Sequence, residues 1–407
     1  MQKSPWFILG FISLVVMQLY ILMQCISPLL YTIIHDLEIS HSAGGFLYAV
    51  PIMMIGMFSF PLGIASDRMG SNRAIVLAAL TVILSSLLRA FTSGYVGLLI
   101  VTAVFGGGIA LFFPNLSKTV KAHFPKQLIG RATGVYTAAI PLGSGLGIAL
   151  TKHLLLYTGS WRQAVALWSG ITLPFILACL VLIHKSRKQL LSTGDPPQAK
   201  HRDASSGRVN VDAEHPSHRR PRWSPIVICG ILLALLNYVF FTTIGWLPTH
   251  LVETGWDPIS AGTVTSLITF VEVPCILLVP FIAHRTGRTR SIFVANFLII
   301  AAALLAVSLN PALCWGMAPI LGLTFGGTFV LLLAFPAQFS MEENVGRAAG
   351  AILSIGYIGA LLGPFFSGYL RDVTGNFSTV FLVVVGVSAL ASGLSLTFPS
   401  RAVASAE

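Results

Sequence analysis

Charge is what this chain has least of: 10% of its 407 residues are Asp, Glu, Lys or Arg, against about a quarter in an ordinary soluble domain. That shortage excludes a molecule whose surface is mostly wetted by water. Cysteine offers no framework either. Cys25, Cys179, Cys229, Cys275 and Cys314 all sit in apolar runs, with no CxxC pair and no histidine at metal-ligand spacing; they read as small buried hydrophobes, and no metal is expected. There is no Walker lysine, no His-Glu-x-x-His and no Ser-His-Asp arrangement. Gly143-Ser144-Gly145-Leu146-Gly147 lacks the preceding strand that a nucleotide-binding loop needs. No cofactor and no enzymatic activity are expected, and a chain of this kind does not drive transport with ATP by itself. Segments of alternating polarity, the mark of a membrane barrel, are missing as well.

What is present is apolar length. Hydrophobic residues make up 55% of the chain and the mean hydropathy is +0.82. A helix needs about 20 mainly apolar residues to cross a hydrocarbon core roughly 30 Å thick. Twelve such spans are predicted, at 6–33, 43–65, 74–92, 96–120, 132–154, 163–184, 225–248, 260–282, 291–309, 312–336, 348–370 and 377–398. The first has no Ala-x-Ala cleavage pattern and is followed by further spans, so it reads as a span and not as a removed signal. With loops placed on alternating sides, all of the 25 Lys and Arg except Arg89, Lys152, Arg162 and Arg371 fall on the side of Met1. The net charge of +11 therefore records topology, not an affinity for nucleic acid. It predicts a multi-pass protein of a bacterial-type cytoplasmic (inner) membrane, with both termini cytoplasmic and a bilayer as its surroundings.

The chain also repeats itself. Arg131-Ala132-Thr133-Gly134 returns as Arg347-Ala348-Ala349-Gly350, Gly143 and Gly147 return as Gly359 and Gly363, and Thr158-Gly159-Ser160-Trp161 returns as Thr374-Gly375-Asn376-Phe377, all at one separation. Ser42-Ala43-Gly44 and Ser260-Ala261-Gly262 keep nearly the same spacing, with Ser40 or Ser42 suited to cap the second helix. Six crossings per half bring each half back to its starting side, so the repeats are parallel. The expected fold is an all-α membrane protein of twelve transmembrane helices in two six-helix pseudo-repeats. Its expected parts are an N-terminal bundle over 1–184, a cytoplasmic linker over 185–223 rich in Pro, Ser, His, Lys and Arg, and a C-terminal bundle over 224–400. Glycines 134, 143 and 147 and their partners 350, 359 and 363 should let helices approach closely. Gly106-Gly107-Gly108 and Gly326-Gly327 should loosen the fourth and tenth spans.

Twelve spans in parallel halves, a basic central loop and the turn Gly63-Ile64-Ala65-Ser66-Asp67-Arg68-Met69-Gly70, continuing to Arg73, resemble the major facilitator superfamily. Trp246-Leu247-Pro248, Phe124-Pro125, Gly134-Val135-Tyr136-Thr137 and the run from Gly356 to Pro364 are similar to its cyanate and nitroimidazole permease branch. The chain departs from that branch in carrying Gln24 and Ser27 near Pro28 where an arginine is usual. The resemblance implies a secondary transporter that works by alternating access. It also implies that the turn at Asp67 latches the halves in the outward-open state, with the start of helix 11 near Arg347 as its partner. Physically, a carboxylate there can accept from N–H groups at a helix start or pair with Arg68 or Arg73. The second copy, His284-Arg285-Thr286-Gly287, replaces the acid with histidine, which weakens that latch or makes it pH-sensitive.

Glu272 is the acid nearest the middle of any span. An ionised carboxylate there costs several kcal/mol unless it is protonated or faces a water-filled cavity, which suits proton coupling; the plainer reading is a structural hydrogen bond to an adjoining helix. At similar depth lie Tyr20 and Gln24, Asn237 and Tyr238, and Tyr357, with Asn115 and Tyr136 nearer the cytoplasmic side. These are the substrate-binding candidates. The resemblance, which places helices 1, 4, 7 and 10 around the cavity, favours Gln24 and Asn237 over the tyrosines. Arg89, Lys118 and Lys121 read as anchors reaching toward the headgroups. The expected activity is movement of a small organic solute by a monomer, coupled to protons. The alternatives are a drug/proton antiporter and, further off, a polytopic membrane enzyme or a non-transporting sensor.

Overall fold

Proline punctuates the helices of this protein, and its first effect is to divide the first span. The computed structural model describes residues 5–192, 223–286, 289–334 and 345–398. Pro28 has no N–H to offer the carbonyl of Gln24, and the helix breaks at Cys25 into α1 (Pro5–Gln24) and α2 (Ile26–Asp36). The remaining helices of the first half are α3 (His41–Met69), α4 (Ser71–Arg89), α5 (Tyr95–His123), α6 (Lys126–Thr158) and α7 (Trp161–Ser192). The second half repeats them as α8 (Trp223–Glu253), α9 (Pro258–Thr286), α10 (Thr289–Leu309), α11 (Cys314–Ala334), α12 (Val345–Thr374) and α13 (Phe377–Ser395). No strand occurs among the described residues. Ten of the twelve spans are long and apolar enough to cross a membrane by composition alone. α4 and α7 complete the set; α4 is diluted by Arg73, Thr81, Ser85, Ser86 and Arg89.

The repeat is visible in backbone detail. A Cβ on Gly143 of α6 would strike the carbonyl of Met17 in α1, and a Cβ on Gly359 of α12 would strike that of Ala234 in α8. Equivalent helices thus cross at bare backbone in each half. The turns match too: Gly159 and Gly375 end α6 and α12 at φ +70° and +77°, a left-handed conformation that glycine adopts without a steric penalty. Gly147 and Gly363 also pack tightly, whereas Gly134 and Gly350 meet nothing within 4 Å. The expectation for that last pair is corrected, because among the described residues no neighbouring helix comes close to either glycine. Ser40, not Ser42, caps α3 by accepting from the Ala43 N–H.

Two faces result. The turn from α3 to α4, with Arg68 and Arg73 exposed, marks the basic face. The opposite face carries Asp36, Glu253, Asp257 and Asp372. The halves touch through α3 on α12, α6 on α9, and α2 on α8. The segment between α7 and α8 falls largely outside the described residues, so the expected linker cannot be placed against the bundles.

Candidate functional site

Glu272 stands on α9 where a helix of the same half comes unusually close. A Cβ at Gly326 of α11 would lie 2.6 Å from Glu272 Cγ and 2.9 Å from its carbonyl oxygen, so only glycine admits this approach. The side chain is partly buried, and among the described residues no hydrogen bond or ion pair meets its carboxylate. Among the described residues, then, no structural bond ties the acid to an adjoining helix.

The other candidates divide. Tyr20 of α1 and Tyr357 of α12, one from each half, are electrostatic neighbours. Tyr20 lies edge-on to Phe113 of α5 at 6.1 Å, and Tyr357 packs over Gly56 of α3. Tyr238 is partly buried on α8, where its backbone lies against Gly363. Gln24 is buried and accepts from the Tyr48 hydroxyl at 2.8 Å. Asn237 is buried and donates to the Gly356 carbonyl at 3.0 Å. Both amides are thus already engaged with neighbouring helices. Asn115 donates to Leu111 O at 2.8 Å and leaves its own oxygen buried without a partner. Tyr136 is buried on α6. Among the described residues no group of His, Cys, Asp or Glu is arranged to hold a metal ion.

At the basic face, Asp67 pairs with Lys118 of α5, and Lys118 also donates to Ser66 Oγ at 3.0 Å. The acid is therefore held within its own half here. Gly63 passes α5 at Pro114, and Gly70 ends α3 at φ +86°. Arg68, Arg73 and Arg285 are exposed, His284 and Arg347 lie in α9 and α12, and Gly287 falls outside the described residues.

The sequence profile of the Major Facilitator Superfamily matches residues 12–364. The chain belongs to that superfamily. Relatives include the 2-nitroimidazole transporter of Escherichia coli (strain K12), 28% identical over 369 residues, covering 89% of this chain and 88% of that one. The cyanate transport protein CynX of the same organism is 24% identical over 360 residues, 88% of each chain. The uncharacterized transporter YycB of Bacillus subtilis (strain 168) is 28% identical over 394 residues, 94% of this chain and 90% of that one. Among solved structures, an inward-facing, occupied bacterial homologue of the human lysosomal transporter Spinster superposes with a TM-score of 0.79 at 14% identity, over 98% of this chain and 97% of that one. A D-xylose–proton symporter superposes at 0.75 with 14% identity, over 98% and 99%. As a Major Facilitator Superfamily member the chain is a secondary transporter that works by alternating access, not an enzyme.

Within this transporter two sequence expectations change. Arg89 does not reach for headgroups: it is fully buried, stacks 3.9 Å over the Phe105 ring and donates to Leu22 O at 3.0 Å beside the break in the first span. Leu22 O also accepts from Cys25 Sγ at 3.3 Å, so two side chains converge on this carbonyl. Lys118 is likewise no anchor, because Asp67 claims it; the side chain of Lys121 is not described. A further cluster, unannounced by any sequence motif, lies on the face opposite the basic one. There His41 and Ser42 of α3 meet Asp372 of α12 and Glu253 of α8. Its signal in the sequence was slight: acids at helix ends, facing the Ser-Ala-Gly helix starts of the repeat.

Proposed function

We propose that this transporter is proton-coupled through Glu272 and moves a small organic solute that is neutral or weakly anionic. The observation that carries the coupling is a carboxylate within the ninth helix of the chain that has no hydrogen bond or ion pair among the described residues. An acid in that setting gains by binding a proton when the site is dry and by releasing it when water enters. Tyr20 and Tyr357, presented from different halves, supply aromatic surface and hydroxyls to a solute between them. Relatives named for cyanate and 2-nitroimidazole support a small cargo.

The confinement of lysine and arginine supports a cytoplasmic basic face, both termini cytoplasmic, and an inner-membrane location. The protein acts as a monomer in this reading, with 1–184 rocking against 224–400 and residues 185–223 as the tether. Asp67 and its repeat equivalent act as the latch on that face.

In proteoliposomes, Glu272→Gln should abolish proton-driven accumulation while exchange of solute for solute continues. Normal accumulation by that variant would remove Glu272 from coupling. A thermal-shift screen against small carboxylates, amines, cyanate and nitroimidazoles identifies the solute to use.

A further inference from the structure

At the face opposite the basic one, a histidine is set between two carboxylates from the other half. His41 opens α3. Its backbone N–H donates to Asp372 Oδ1 at 2.8 Å, and the N–H of Ser42 donates to Asp372 Oδ2 at 2.8 Å. One carboxylate from α12 thereby caps the first turn of a helix in the opposite half, where unpaired N–H groups and the helix dipole favour negative charge. The imidazole adds two contacts. Nδ1 lies 2.9 Å from Asp372 Oδ1, and Nε2 faces Glu253 Oε1 of α8 at 3.6 Å. Arg371, next to Asp372, holds the other oxygen of Glu253 at 3.2 Å.

These contacts constrain which ring nitrogen donates. A carboxylate is acceptor-only, so Nδ1 must carry a proton to bond Asp372. A neutral ring would then turn the lone pair of Nε2 toward Glu253. A ring protonated on both nitrogens instead donates toward one acid and attracts the other. Arg371 is a fixed cation already on Glu253, and the remaining neighbours are aromatic or engaged elsewhere. Trp246 of α8 and Phe377 of α13 lie 6.0 and 5.8 Å from it, centre to centre. The Tyr95 hydroxyl of α5 is committed to Ala43 O, and Asp36 at the end of α2 is committed to Arg162 and Trp161. His250 of α8 is buried against Phe377 and Phe381.

We propose that His41, Asp372 and Glu253 form a proton-dependent clasp between the halves, which closes this face when the imidazole is charged and releases it when the ring loses its proton. The clasp is separate from the proton site assigned to Glu272 and from the latch at Asp67. Its sign follows from the geometry: the closed fraction rises in acid and falls as pH increases.

The test uses the full chain in nanodiscs, where both faces meet the same pH and membrane orientation drops out. The five native cysteines are replaced by alanine. Spin labels go on Phe91→Cys and Leu309→Cys, exposed positions at this face in different halves. Distances are measured by pulsed electron paramagnetic resonance between about pH 5.5 and about pH 8.5, the range over which histidine changes charge. The closed-to-open ratio should fall by about tenfold across that range, a shift of the size one charge-assisted contact can produce. His41→Gln, which keeps a donor but does not titrate, should lose the pH response. Asp372→Asn should favour the open population by about tenfold at every pH. A pH response that survives in His41→Gln, or distances unchanged in Asp372→Asn, would overturn the clasp. If Asp372→Asn fails to fold, Glu253→Gln takes its place and should flatten the response; a full response there overturns the proposal equally. Glu272→Gln should respond to pH like the parent. Loss of the response in that variant would assign the titration to Glu272 and reject the clasp while leaving the coupling proposal in place.

Discussion

A methyl group at residue 326 would sit 2.6 Å from Glu272 Cγ. Gly326→Ala must therefore push the carboxyl or its helix aside. The expected cost is about 1–3 kcal/mol of stability, the usual range for overpacking a close contact. A loss of proton-driven transport should accompany it, and a thermal melt paired with a flux assay checks both. Glu272 and Gly326 could be singled out in the sequence, one as an acid in oil and the other as half of a glycine pair, but not as neighbours. The same limit explains Gln24 and Asn237. A polar amide within a span serves either a cavity or the adjoining helix, and one dimension does not say which way it points. Here Gln24 meets Tyr48, and Asn237 meets the carbonyl of Gly356. Arg89 was misread for a related reason. Its place near a span end suggested headgroups, while the carbonyl it meets belongs to a different helix.

At the scale of elements, proline does more than end helices. Pro248 lies inside α8 and cannot donate to the carbonyl of Ile244. Ser27 of α2, from the other half, donates to that carbonyl at 2.6 Å. Ser27→Ala should therefore cost about 1 kcal/mol, the worth of a buried hydrogen bond whose acceptor is then left without its partner. Pro248→Ala restores a helical donor, so the double variant should recover much of that loss. A double-mutant cycle read by thermal unfolding measures the coupling, and strict additivity would exclude it. The existence and order of the helices were legible from apolar length and the repeat, and the structure adds extensions at several ends. α6 and α7 run past the apolar limits into polar residues such as Gln127 and Lys188, because hydrogen bonding continues where hydropathy stops. The division of the first span was not legible, since Pro114, Pro141 and Pro174 lie within unbroken helices.

On the scale of the whole molecule, the halves are joined at the face opposite the basic one, while Asp67 and Lys118 pair within a single half on the other. Asp67→Asn should slow transport by altering the balance between the two states. Rates and cysteine accessibility that match the parent would retire the latch. The parallel halves could be inferred from Gly143 and Gly359 recurring at fixed spacing, but the contacts between them could not, because His41 and Asp372 are remote in the chain and neither belongs to a recognisable motif.

The bare crossings of Met17 with Gly143 and of Ala234 with Gly359 have a mechanical corollary. With no side chain between them, the two helices of each crossing have nothing to re-pack, and each pair is expected to turn together as a stiff plate. A plate pivoting near its middle moves its rim farther than its centre, and a solute that displaces the central helices slightly will part the distant edge much more widely.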